Sequence, residues 1–137
     1  MHLTTMLVDD VPEGSALRAR LLDLTFGFEG GQMSWRFGDP NERDWIVVAS
    51  SMNSKVIGWA LVFHLYGRMN LHLFVDTMYR KCGVGTAIIA AAVARQTPLY
   101  VTAQHEGARR LFARFKSGLV VEDETQTVSA LRGALVL

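Results

Sequence analysis

The stretch "YRKCGVGTAIIAAAVARQ", Tyr79 to Gln96, brings Arg80 and Lys81 up to a pair of glycines, Gly83 and Gly85, that open an alanine-rich apolar run. Glycines between a strand and a helix let backbone amides approach a ligand with no Cβ in the way, at the positive end of the helix. The ligand suited to that arrangement is an anion. Hydrogen bonds to a charged group contribute about 1.5–3 kcal/mol each, against about 0.3–1 kcal/mol for the dipole of an exposed helix end. The amides from Lys81 to Thr86 are therefore expected to carry most of the binding. Cys82 lies inside the loop, and the sequence shows no partner that would activate its thiol.

Spacing narrows the anion. The phosphate loop of nucleoside triphosphatases needs G-x-x-x-x-G-K-[ST], and the chain has no such string. The dinucleotide fingerprint needs a third glycine at the position held by Ile88. Charge points to the same segment. Residues 1–50 hold eight acids against four bases, residues 51–121 two acids against nine bases, and residues 122–137 three acids against one base. A basic middle carrying the glycine pair suits a polyanionic ligand, although a solvated helix face rich in arginine reads the same way. No basic stripe interleaved with aromatics is present, so nucleic acid is not the expected partner.

The elements that must position this loop follow from hydropathy. Residues 3–8 read as a strand, and Leu17, Leu21, Leu22 and Leu24 fall at helical spacing after it. Residues 27–41 read as a loop, with Trp35 and Phe37 available to pack or to line a pocket. "DWIVVAS" and "KVIGWALVFHL", separated by "SMNS", predict a hairpin, and "NLHLFVD" predicts a further strand with Leu71, Leu73 and Val75 opposed to His72, Phe74 and Asp76. Val84, Ile88, Ala91, Ala92 and Arg95 share a helical face that ends before Thr97-Pro98. "LYVTA" predicts a short strand, and Ala108, Leu111, Phe112 and Phe115 predict an amphipathic helix with Gly118 near its C-terminal cap. The tail from Leu119 is expected to supply one or two closing strands. The sum is a single mixed α/β domain over residues 1–137. One cysteine, no leader pattern and no apolar run of about 18 residues predict a soluble, cytoplasmic chain without metal or disulfide.

Arg80-x-x-Gly83-x-Gly85, with Val75 closing the preceding strand, resembles the acyl-CoA pyrophosphate loop of the GNAT superfamily of N-acyltransferases, [QR]-x-x-G-x-[GA] after the fourth strand. The order of elements resembles the family too, including Gly58 in "VIGWA", over about residues 45–119. The first 44 residues match it poorly. The resemblance implies a layered α+β fold with a mixed, mostly antiparallel sheet flanked by helices. It also implies a V-shaped splay between the fourth and fifth strands, in which the pantetheine arm of acetyl-CoA pairs with Leu71 to Val75. Cofactor contacts are then expected from Leu73, Phe74, Val75, Arg80, Lys81, Cys82, Gly83, Val84, Gly85, Thr86 and Phe112. A backbone amide is expected to polarise the acyl carbonyl while an amine attacks the thioester directly.

An alkylamine has a pKa of about 10.4, so a base must take its proton, directly or through water. His72 is the first candidate, a histidine packed under a helix being the alternative; His64, Asp76 and His105 are the others. Two departures from the family stand out. Its last helix begins with Asn where this chain has His105, and a Tyr that protonates the leaving thiolate is replaced in phase by Phe112. Three outcomes stay open: CoA leaves as thiolate, His105 or Tyr100 donates instead, or the domain binds acyl-CoA without turning it over and modulates a partner protein. The acceptor is a small-molecule amine or a protein amine, with a cationic one favoured by the acidic first third. No nucleic acid or membrane partner is expected, and a homodimer stays open.

Overall fold

A computed structural model describes residues 1–23, 44–103 and 106–123. The expected strands appear as β1 (His2–Leu7), β2 (Trp45–Ser50), β3 (Val56–Leu65), β4 (Arg68–Val75), β5 (Leu99–Ala103) and β6 (Leu119–Asp123). They form one sheet in sequence order; β1 to β4 are antiparallel, while β5 joins β4 and β6 joins β5 in parallel. The helices are α1 (Ala16–Asp23), α2 (Val84–Arg95) and α3 (Glu106–Ala113). Leu24, Trp35, Phe37, His105 and the tail beyond Asp123 lie outside the described residues.

β2 and β3 read as near-continuous apolar runs because both their faces are covered. On one face Val47, Ala60, Val62 and Leu71 pack with Ile88 and Ile89 of α2 and Phe112 of α3. On the other, Ile46, Val48, Trp59, Leu61, Phe63 and Phe74 pack with Leu21 of α1. Each buried Val, Leu, Ile or Phe among them contributes roughly 1.5–3 kcal/mol by leaving water. Ile89 joins Val84, Ile88 and Ala92 in the buried set of α2, a wider face than the sequence spacing predicted. Arg95 stays at the rim, its guanidinium 4.9 Å above the Trp45 ring, whose Nε1 donates to Gln96 Oε1 at 3.0 Å.

Close approach explains two glycines. A Cβ on Gly58 would stand 3.1 Å from both Ile88 Cδ1 and the Phe74 carbonyl oxygen, so its absence lets the first turns of α2 lie on the sheet. A Cβ on Gly118 would stand 2.9 Å from Val93 Cβ. Gly118 is thus a packing position between α2 and the start of β6, and not the left-handed cap that its place after the helix suggested.

The β3–β4 hairpin turns through Tyr66 and Gly67, both at positive φ, in the sense that matches strand twist. The Asn70 side-chain amide fastens that turn by donating to the carbonyls of Leu65 and Arg68, at 3.2 and 3.1 Å. The two parallel seams differ. β5 and β6 stay in register from Leu99↔Leu119 to Ala103↔Asp123, whereas β4 and β5 share only Asn70↔Tyr100 and then diverge. This is the splay expected between the fourth and fifth strands.

Candidate active site

The inner edge of β4 is the first component. The Asp76 N–H donates to the Ile57 carbonyl at 2.8 Å, which sets the phase of the β3–β4 ladder. In an antiparallel pair alternate residues turn their backbone groups toward the partner strand. Phe74, His72 and Asn70 therefore face β3 with their N–H and C=O groups, while Leu71, Leu73 and Val75 turn theirs toward the splay. The foot of the V is closed by Tyr100. Above it, no strand among the described residues meets that edge; the Val75 carbonyl instead accepts from Arg80 Nε at 3.0 Å. Of the three β4 residues expected at the cofactor, Leu73 and Val75 present backbone to the cleft. Phe74 does not: its backbone pairs with Trp59, and its side chain stacks on that indole at 6.1 Å.

The loop is the second component. Asp76 Oδ1 accepts from the Met78 N–H at 3.1 Å and so starts a 3-10 turn over Thr77–Tyr79. Lys81 then adopts φ 64° and Gly83 φ 83°. A left-handed residue other than glycine costs about 1–2 kcal/mol, which makes Lys81 a strained position in an exposed loop. Gly83 is the residue before α2, and its carbonyl accepts from the Ala87 N–H at 3.0 Å. Helix geometry leaves the amides of Val84, Gly85 and Thr86 without intrahelical partners. The result is a mouth of free donors, ringed by Arg80, Lys81 and the exposed Cys82.

Gly85 stands where the two components meet. A Cβ there would lie 3.2 Å from Leu111 Cδ2, 3.6 Å from Leu73 Cδ2 and 3.7 Å from Val75 Cγ2. Leu111 of α3 is therefore the side chain that borders the top of the V. Phe112, the expected contact, is instead buried in the core against α2 and the sheet. The apolar spacing of α3 placed both on one face, but only the tilt of the helix decides which of them reaches the cleft.

The candidate bases part company. His72 lies opposite Leu61 on the α1 side of the sheet, half-buried, its ring edge-on to Phe63 at 4.8 Å. It flanks the V between foot and mouth. Asp76 is held at the top, with Oδ1 in the 3-10 turn and Oδ2 at 3.5 Å from Arg20 of α1. His64 lies opposite Met69 beside the hairpin, and its backbone N–H donates to the buried Asp44 at 3.2 Å. His64 is six positions along β3 from Gly58, the partner of Val75, which at about 3.3 Å per residue is roughly 20 Å from the end of β4 that leads into the glycine loop. An open cavity of about 290 Å³ at that far end is lined by His64, Arg68, Met69 and Tyr100. Tyr100 is held there, under the Arg68 guanidinium at 4.4 Å. His105 lies outside the described residues. Among the described residues no group of three or more His, Cys, Asp or Glu is placed to hold a metal.

The sequence profile described as "Acetyltransferase (GNAT) family" matches residues 15–116, and the chain belongs to that family. Solved structures agree on the fold. Escherichia coli ElaA matches with TM-score 0.61 at 11% identity, over 84% of this chain and 85% of that one. A protein described as histone acetyltransferase HPA2 and related acetyltransferase, from Corynebacterium glutamicum, matches with TM-score 0.59 at 17% identity, over 84% of each chain. An aminoglycoside 6'-N-acetyltransferase in complex with coenzyme A matches with TM-score 0.53 at 19% identity, over 69% of this chain; the match spans only 54% of that enzyme's chain. No curated protein matches the chain. No helix among the described residues is long and apolar enough to cross a membrane.

Proposed function

We propose that the protein is an acetyl-CoA-dependent N-acetyltransferase that acts on an amine by direct attack on the thioester. The observation that carries this reading is the open inner edge of β4, from Leu71 to Val75, leading to the donor-rich mouth of α2. A ligand with amide groups in an extended arm and a diphosphate at one end satisfies both. Val84, Gly85 and Thr86 donate amides to the diphosphate, with Lys81 and Arg80 adding charge. Leu73 and Val75 hydrogen-bond the arm, and Leu111 packs against it.

The thioester then lies low in the V, beside Leu71 and Leu73. A backbone N–H on that edge stabilises the charge that develops on the carbonyl oxygen, a contribution typically worth a factor of 10²–10³. His72 takes the proton of the attacking amine from the α1 side of the sheet. The His72→Ala variant is expected to lose a factor of about 10²–10⁴ in kcat. An unchanged kcat from pH 6 to 9 removes His72 from the mechanism.

The acceptor approaches from the α1 side, and the acidic charge of the first third of the sequence favours a cationic amine, small or at a protein terminus. A thiol-release screen that turns over only neutral or acidic amines overturns that preference. The lone thiol fits a reducing cytoplasm. One observation favours a second reading, an acyl-CoA-binding module that modulates a partner: the core position of Phe112 leaves α3 with no hydroxyl beside Gly85. Incubation with acetyl-CoA separates the two, since a catalyst releases CoA to a suitable amine and a module only saturates. A thermal shift tests both readings at once, because ligand at 100 times its Kd adds about 2.7 kcal/mol of stability.

A further inference from the structure

The C-terminal part of the sheet, β5 and β6 with α3, meets β4 through a single backbone pair, Asn70↔Tyr100. One such pair is a weak hinge for a cleft whose width must match a ligand. Arg68, at the start of β4, adds polar contacts to that joint, beside the apolar packing of Leu99, Val101 and Ala103 in the core. Its Nη1 and Nη2 donate to the two carboxylate oxygens of Glu122 on β6, at 2.6 and 3.1 Å. Its Nε donates to Asn70 Oδ1 at 3.2 Å, and its guanidinium lies over the Tyr100 ring at 4.4 Å. Arg68 thus reaches from β4 across β5 to β6, with about 30% and 19% of the two side chains exposed. Planar two-point pairing of this kind is stronger and more directional than an exposed ion pair.

We propose that Arg68 and Glu122 are a positioning pair for acyl-donor binding: they fix β5 and β6 to β4 at the foot of the V and so set the width of the cleft above. Neither residue touches the donor, which lies higher, along Leu71 to Val75. The inference rests on the acyl-donor reading of that cleft. Without the pair the angle of the V is set only by the apolar core and one backbone pair, and part of the population holds the inner edge of β4 and Leu111 at the wrong separation. The apparent affinity falls by the fraction of molecules in the competent geometry.

The test uses the full chain with Arg68→Met or Glu122→Gln, and CoA as the probe. Both variants are expected to fold, with the Kd for CoA raised about three- to tenfold, which corresponds to a directional, partly buried charge pair. The double variant is expected to be no worse than either single one, because both remove the same contact. Arg68→Lys behaves like Arg68→Met, since an ammonium cannot present two parallel donors. With a turned-over amine, KM for the acyl donor rises while kcat stays within about twofold. Backbone hydrogen exchange is expected to quicken in Val101 to Ala103 and to stay unchanged in β2 and β3.

Wild-type CoA affinity in both folded variants overturns the proposal, as does exchange that quickens equally across the whole sheet. If the unsubstituted protein fails to bind CoA, the acyl-donor reading falls on its own. The exchange pattern then decides by itself whether the pair holds β5 and β6 to β4.

Discussion

The two parallel seams of the sheet share strand β5 and differ in almost everything else. On the β6 side the register runs the full length of the strand; on the β4 side it stops after one pair. β5 is equally able to pair on both edges, so the difference lies in what stands on either side. α3 connects β5 to β6 and packs over both, which holds those strands together. β4 leads instead into the Asp76–Gly83 loop and α2, and the first turn of α2 with Leu111 of α3 borders the top of the V. One seam is closed along its length, and the other leaves the inner edge of β4 unpaired above Tyr100 among the described residues. Glycine serves both seams: Gly118 lets the closed half seat on α2, and Gly85 lets the open half come to a point without blocking it.

Substitutions at these glycines should separate the seams. The largest effect is expected for Gly85→Val, whose branched side chain would fill the space between Leu111, Leu73 and Val75. CoA binding should weaken about 100-fold, or roughly 2.7 kcal/mol, with a modest fall in Tm. Titration calorimetry beside a melting curve measures both. Gly118→Val comes next and does the reverse: Val93 cannot retreat from a Cβ at 2.9 Å. Overpacking should cost about 2 kcal/mol of stability, while the affinity of the folded fraction for CoA holds.

Gly83→Ala meets open space, so only its left-handed backbone matters, at about 1 kcal/mol and a few degrees of Tm. Asp76→Asn should do least. The amide oxygen can still accept from Met78, and the long, partly exposed contact to Arg20 is worth about 0.5 kcal/mol or less. A loss above about 1 kcal/mol in chemical denaturation would show that α1 holds the top of the open seam after all.

Most of this architecture was legible in the sequence, for identifiable reasons. Apolar β-rich runs and turn residues marked the first hairpin, whose "SMNS" turn fell where Ser50 and Val56 now pair, and alternation marked β4 as a further strand. The glycine loop was legible because its demands are local: a left-handed residue at 83 and a small one at 85. What was not legible depends on register and tilt. Leu111 and Phe112 belong to the same apolar face in the sequence pattern, yet one borders the cleft and the other is core. His64 and His72 are both histidines on neighbouring strands, and only the pairing of Met69 with His64 puts that one at the far end of the sheet. The reach of Arg68 to Glu122 spans 54 positions of chain and has no local signature.

The bare Cα of Gly58 has a mechanical corollary. With Ile88 and Val84 seated at 3.1 and 3.3 Å from where a side chain would begin, the donor-bearing helix is keyed into the central sheet and has no room to rock. It acts as the fixed jaw of a vice. Whatever adjustment a bulky guest requires is therefore expected from the opposite wall, β5 with α3, which meets β4 through one backbone pair.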